Sequence, residues 1–283
     1  MTVWTTRISC FDTTWNPTFG CDAVSAGCDH CYAEAIAKRF HGGFALRLKP
    51  HRLTDVRRFH PIAEPGGDGS RPRRVFVNSM SDLFHPQVPD AYLHDVFDAV
   101  EATPNAVFIV LTKRPNRMAT FAIARWPLGV PDHLWLGVSV ESPAVARRID
   151  ALREIKARTG RLTAYVNAEP LLAPLDGVDL AGVDWLGVGG EAGARVRRCD
   201  PAWVRGAVEL GRAAGAAVWF KAWGRWENHP RWPEARGRTK AARKADLVAR
   251  GLELLPAEHG GATLDGRLIQ ELPPVYGRLQ ARL

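Results

Sequence analysis

The chain alternates short, almost unbroken apolar runs with longer stretches in which apolar positions recur every three or four residues. The runs RVFVNS (74–79), AVFIVLT (106–112), LWLGVSV (134–140), LTAYVNA (162–168), VDWLGVGG (183–190) and AAVWFKAW (216–223) are rich in β-branched and aromatic residues. Such continuous hydrophobicity predicts strands buried on both faces. Residues 90–102, 115–125, 143–157 and 201–214 predict helices. Asp90 after Pro89, Ser142 before Pro143 and Asp200 before Pro201 supply N-cap chemistry, Pro115 suits a first turn, and Gly160 and Gly215 suit two of the ends. Strands alternating with helices predict a parallel sheet. Six or seven such units, counting one that opens before CYAEAIAKRF (31–40), suit an α/β fold of the partial or complete parallel β/α (TIM-like) barrel type better than a doubly wound sheet. No G-x-G-x-x-G follows a strand, so the dinucleotide-binding fingerprint is missing.

Residues 63–72 (AEPGGDGSRP) read as a loop, and 225–283 become basic and broken by Gly and Pro. The chain therefore divides into a barrel, 1–224, and a basic C-terminal extension, 225–283, in which 261–273 suits a small hairpin turning at Asp265-Gly266.

In a parallel barrel the strand-to-helix loops open on one face, where chemistry gathers. The predicted strand ends are polar: Asn78, Ser79 and Asp82; Thr112, Lys113 and Arg114; Ser139 and Glu141; Asn167 and Glu169; Gly189, Gly190 and Glu191; Lys221 and Trp223. Each alone suits a loop entrance or a cap. Carboxylates at four separate ends exceed what capping requires, and the Gly-Gly pair permits close backbone approach to a ligand.

The remaining chemistry lies in TWNPTFGCDAVSAGCDHCYAEAIAKRF (14–40), which holds three of the five cysteines: Cys21, Cys28 and Cys31. An odd cysteine count, with no basic-then-apolar leader and no run of about 18 apolar residues, argues for a cytoplasmic, non-membrane protein and against a disulfide framework. Cys10 and Cys199 stand apart and read as inert buried thiols. A structural zinc site draws four ligands from two pairs; here one C-x-x-C pair is present, with His30 or His41 available as a fourth ligand. A cubane iron–sulfur cluster takes one thiolate per iron, so three thiols would leave one iron open to an outside ligand. Both metals remain possible from the residues alone. The net charge of +8 and pI near 9.6 make an anionic partner such as nucleic acid plausible without naming one. Trp219, Trp223 and Trp226 gather near the last strand, where core packing is the plainer use for them than base stacking.

A three-cysteine loop feeding the first helix of a β/α barrel resembles the radical SAM superfamily. The resemblance implies a 4Fe-4S cluster, binding and reductive cleavage of S-adenosyl-L-methionine (SAM), a 5′-deoxyadenosyl radical and a reductant of the flavodoxin or ferredoxin type. The sequence departs from the common C-x-x-x-C-x-x-C: six residues separate Cys21 from Cys28, and His30 stands where an aromatic residue is usual. The segments TWNPTFGCDAVSAGCDHCYAEAIAKR, VFVNSMSDLFHPQVPD, VLTKRPNR, LWLGVSVES and DWLGVGGEAGARVR, with AEPLLAPL and WFKAWG, resemble an uncharacterised phage-associated family of the Gp-thirty-seven/Gp-sixty-eight type. That family has the same longer spacing. The resemblance implies that Cys21, Cys28 and Cys31 ligate the cluster. It places Asn78, Ser79 and Asp82 at the SAM amino group, Ser139 and Glu141 near ribose or carboxylate, and Gly189 and Gly190 beside adenine. Glu169, Glu191, Lys113 and Lys221 are left for substrate binding or proton transfer. A zinc-bearing nucleic-acid-binding module and a non-catalytic iron–sulfur sensor of SAM or a nucleotide are the alternatives.

Overall fold

A computed structural model describes residues 8–64, 69–193, 195–254 and 259–283. Seven strands hydrogen-bond side by side in chain order: β1 (Thr13–Trp15), β2 (Arg73–Val77), β3 (Ala106–Thr112), β4 (Leu134–Ser139), β5 (Thr163–Ala168), β6 (Trp185–Val188) and β7 (Ala217–Phe220). Every neighbouring pair is parallel. The sheet curls without closing, a partial TIM-like barrel. Helices α1 (Tyr32–Phe40), α2 (Asp90–Glu101), α3 (Pro115–Arg125), α4 (Arg148–Thr159) and α5 (Pro201–Ala213) lie in the crossovers. The β5–β6 connection contains no helix.

Local chemistry accounts for some of the boundaries. Asp200 accepts from the Ala202 amide at 2.9 Å and caps α5, and Gly160 ends α4 in the left-handed region. Asp90 falls inside the first turn of α2 rather than at its cap: Pro89 holds the cap position, and the Asp90 carboxylate pairs with Arg117 at 2.5 Å. Residues 143–145 form a separate 3-10 turn, so α4 starts only at Arg148.

Strand parity divides the core. Phe108, Val110, Leu134, Leu136, Val166, Leu186 and Phe220 face outward and pack under the helices. Their neighbours Val107, Ile109, Trp135, Tyr165, Trp185 and Trp219 point into the curl with Phe11 and Tyr276. Trp185 packs edge-on against Trp135, with centroids 5.4 Å apart, and lies against Tyr165 at 4.5 Å. These rings fill the barrel floor. Further along the same parity polar residues take over: Asn167 and Lys221 follow Tyr165 and Trp219 by two residues and Ser139 follows Trp135 by four, so all three stand above the aromatic layer.

The chain then returns to the free edge of β7. Residues 263–264 pair with 267–268 as a hairpin whose Asp265 and Gly266 have positive φ (49° and 76°). Beyond it, the Phe220 amide donates to the Ile269 carbonyl at 2.9 Å and the Glu271 amide to Val218 at 2.9 Å, covering an otherwise unpaired edge. Helix α7 (Pro274–Gln280) crosses below the floor, where the Tyr276 hydroxyl donates to the Pro72 carbonyl at 2.8 Å. Before this return, α6 (Lys240–Ala249) packs with Trp226 and Trp232 in a small core of its own. Trp219, Trp223 and Trp226 are all buried. Among the described residues no helix is long and apolar enough to cross a membrane.

Candidate functional site

At the C-terminal ends of the strands a cavity of about 560 Å³ opens above the aromatic floor. Its walls bring together Cys21, Cys28, Cys31, Asn78, Ser79, Asp82, Lys113, Ser139, Glu169, Gly190, Glu191 and Lys221; of the strand-end residues singled out from sequence, Glu141, Gly189 and Trp223 do not line it. The volume is that of a small-molecule site.

The three thiols stand on the segment between β1 and α1. Gly20, with φ of 90°, lets the chain pass against the Ala45 carbonyl, and the Cys21 amide donates to the Phe44 carbonyl at 3.1 Å. Cys28 closes a 3-10 turn, and Cys31 is the N-cap of α1. All three are partly exposed, whereas Cys10 and Cys199 are buried, which pushes their pKa values up to about 11 and about 12. Burial also raises the Cys21 pKa, opposed by Arg114, whose Nη1 lies 3.4 Å from the sulfur. Among the described residues, no three His, Cys, Asp or Glu side chains are gathered closely enough to hold one metal ion.

The six residues between Cys21 and Cys28 are pinned to three walls of the barrel. On the first, the Asp22 carboxylate meets His85 Nε2 at 2.9 Å, and Arg114 Nη2 donates to the Asp22 carbonyl at 3.1 Å. On the second, Glu141 Oε1 accepts from the Ser25 hydroxyl and from the Gly27 amide at 3.2 Å, while Oε2 takes Arg148 Nη1 at 2.9 Å. A Cβ on Gly27 would stand 2.9 Å from that carboxylate, so the approach requires glycine. On the third, Arg197 donates to the Ala26 carbonyl at 2.9 Å and grips Glu191, which also meets His30 Nδ1 at 3.2 Å. Burial opposes the charge on Glu141 and Glu191. Ser25 and Arg148 on the one, and Arg197 and His30 on the other, outweigh it and hold both carboxyls below the ordinary range.

Other predicted positions are equally engaged. Asp82 accepts from the Thr112 hydroxyl (2.7 Å), the amides of Phe84 (3.0 Å) and Lys113 (3.1 Å), and Arg114 Nη1 (2.9 Å), tying the end of β2 to that of β3. Asn78, at φ 62°, exchanges two hydrogen bonds with Thr18. The Ser79 hydroxyl faces Asn16 at 3.2 Å, and its carbonyl accepts from the Tyr32 hydroxyl at 2.7 Å. The space vacated at Gly189 is taken by Glu169, 3.0 Å from a notional Cβ, and at Gly190 by the Trp223 carbonyl. The close approach that the Gly-Gly pair allows is thus made to the protein's own groups. Ser139 is buried in the wall, and its carbonyl accepts from Arg148 at 2.8 Å. His41, weighed as a zinc ligand, lies at the far end of α1 against Phe19.

Glu169 and Lys221 form the polar pair deepest over the floor, Nζ to Oε2 at 2.7 Å, with Glu169 still 26% exposed to the cavity. Burial disfavours the Lys221 ammonium, but Cys10, Glu169 and Tyr165 outweigh it and raise its pKa well above the ordinary lysine value. The Phe11 ring lies 5.2 Å from Nζ. The supporting roles of Arg148, Arg197 and His85 were not singled out from the sequence.

Fold and site together define a partial parallel β/α barrel whose thiol-bearing loop closes one wall of a cavity at the strand ends. The chain belongs to the family described as "Protein of unknown function (DUF5131)", whose profile matches residues 5–273. A search of curated proteins gave no match. Among solved structures, the chain is similar to spore photoproduct lyase complexed with dinucleoside spore photoproduct (15% identity, TM-score 0.44) and to two cysteine variants of that lyase (16% identity, TM-scores 0.45 and 0.47). Each match covers 74% of this chain and 63% of the other, so the chain spans less than two thirds of their length.

Proposed function

We propose that this protein is a radical SAM-type enzyme that holds a 4Fe-4S cluster on Cys21, Cys28 and Cys31 and modifies an anionic substrate. The observation that carries the reading is the placement of three partly exposed thiols on one wall of a strand-end cavity that also holds the Glu169–Lys221 pair. The donor set suits a cluster better than one ion. Zinc would need its sulfurs at about 2.3 Å from a common centre, whereas a cubane gives each thiolate its own iron and leaves the fourth iron open. Bound there with SAM and supplied with one electron by a flavodoxin- or ferredoxin-type donor, the cluster would provide reductive cleavage to a 5′-deoxyadenosyl radical for hydrogen abstraction.

The chain's own residues do the rest. Arg114 sets a cation beside the Cys21 sulfur, and Cys31 stands at the N-cap of α1. Asn78, Ser79, Asp82, Ser139 and Gly190 form the wall next to the thiols and are where SAM would lie, with Glu141 and Gly189 behind it. Lys221 fixes one carboxylate oxygen of Glu169, and Glu169 has exposure to spare for a substrate donor. Lys113 and Arg114 at the rim favour an anion.

Anaerobic reconstitution with iron and sulfide should give about four irons per chain and a broad visible charge-transfer band. With dithionite and SAM, 5′-deoxyadenosine should form, and Cys28→Ala should abolish both. Stoichiometric zinc with no iron uptake would overturn the cluster. An intact cluster that yields no 5′-deoxyadenosine would leave a binding protein instead of an enzyme.

A further inference from the structure

Residues 31–60 carry seven Lys and Arg against two Asp and Glu, a net +5 out of the chain's +8. The charge is concentrated just after the cysteine loop. Apolar exposure concentrates there too: of the nine large hydrophobic side chains exposed among the described residues, Val24, Tyr32, Ile36 and Phe40 belong to this loop and α1. Tyr32, Ile36 and Phe40 follow one another at four-residue steps, so they form one stripe along the helix. Phe40 is 65% exposed. Val24, Tyr32 and Ile36 also line the cavity, so the stripe runs from the outer surface into the site.

Cations lie over an exposed ring, Phe40, and over a buried one, Phe19. The Arg39 guanidinium lies 5.0 Å from the Phe40 ring, and Arg47 and Lys49 sit at 5.6 and 4.7 Å from Phe19. Among the described residues neither Arg47 nor Lys49 has a carboxylate partner. Partial burial, with Arg52 and Arg47 nearby, lowers the Lys49 pKa. The Phe19 ring under Arg47 and Lys49 packs against Phe44, whose carbonyl accepts from the Cys21 amide, so this basic surface lies close to the first thiol.

We infer that the face formed by α1 and residues 44–49 is a docking surface for single-stranded nucleic acid, whose phosphates meet Lys38, Arg39, Arg47 and Lys49 while a base stacks on Phe40. Interleaved rings and cations are what an unpaired strand recognises. A duplex keeps its bases stacked inward and could offer neither a face to Phe40 nor a nucleotide to the cavity. An acidic protein would satisfy the charges but leave the exposed ring without a planar partner. The inference rests on the proposed function for where chemistry occurs and names the substrate class of that site.

Fluorescence anisotropy of the full chain with a labelled oligo(dT) of about 15 nucleotides tests it. Saturable binding should weaken with salt at a log–log slope of about 0.7 per phosphate contact. Arg47→Ala with Lys49→Ala should lower affinity about tenfold and flatten that slope by about 1.4. Phe40→Ala should cost at least about fivefold with the slope unchanged. Arg282→Ala, near the barrel floor, should change neither. Competition by duplex or polyglutamate as effective as by oligo(dT), or the same loss on Arg282→Ala, would overturn the inference. Binding should survive Cys28→Ala. Binding without 5′-deoxyadenosine formation in the wild type would therefore count against the reaction alone, and 5′-deoxyadenosine formation without binding against this surface alone.

Discussion

Arg148→Met should loosen the cysteine loop although residue 148 lies outside the cavity. The Arg148 side chain is 9% exposed and that of Glu141 2%, and their 2.9 Å pair is what allows a carboxylate to be buried behind the Ser25–Gly27 backbone. Methionine keeps much of the volume and removes the charge. Glu141 would then hold its negative charge on one hydroxyl and one amide, and breaking a buried pair from one side costs about 3–5 kcal/mol. That is a large share of the roughly 5–15 kcal/mol of a typical domain. Glu141→Gln in the same background removes the stranded charge and still accepts from Ser25 and Gly27, so the double variant should regain part of the loss, with a coupling of about 2–3 kcal/mol. Urea unfolding of the metal-free chain measures the cycle, and amide exchange over residues 22–31 reports whether the loop opens. Costs that add within about 0.5 kcal/mol, with loop protection unchanged, would refute the pinning role of Glu141.

Two more outcomes follow from the same geometry. Gly190→Ala would drive a Cβ into the Trp223 carbonyl and should cost about 1–3 kcal/mol, whereas Gly206→Ala, inside α5 with nothing within 4 Å, should stabilise by about 0.5–1 kcal/mol; thermal unfolding of both decides. Glu141 and Glu191 have folded pKa values below the ordinary 4.5, so their contribution is fully present above that value and is lost as pH falls through the lower folded values. Amide exchange of residues 22–30, corrected for intrinsic rate, should therefore accelerate on acidification before the barrel core does, and protection that is lost only together with the core would contradict the assignment.

The barrel was legible because its strands are buried on both faces: AVFIVLT coincides with β3, and the other runs overshoot their strands by a few residues at most, where apolar character continues into the loop. The cavity was legible from parity and strand ends, since residues two steps beyond an inward-facing aromatic must stand above it. What stayed hidden was the division of labour among those ends. A carboxylate at a strand terminus looks the same in sequence whether it faces a ligand or a buried arginine. Glu169 looks into the cavity, while Glu141 and Glu191 are held by Arg148 and Arg197, partners 7 and 6 positions away that no periodicity singles out.

The same division accounts for the long spacing between Cys21 and Cys28. A shorter spacing would leave a loop stiff by its own length; six intervening residues bring freedom that has to be removed by contacts, because each residue ordered costs about 1–2 kcal/mol of backbone entropy. The contacts come from three walls at once, through His85 and Arg114, Glu141 with Arg148, and Glu191 with Arg197. Strand-end carboxylates that would otherwise crowd the cavity with negative charge are thereby neutralised by arginine and turned to positioning the thiols. Two of the four acidic strand ends are thus spent on the loop and a third, Asp82, on joining β2 to β3 and anchoring Arg114 beside Cys21. Glu169 is left as the carboxylate with a face open to the cavity, and substitutions that test the proposed reaction should begin there.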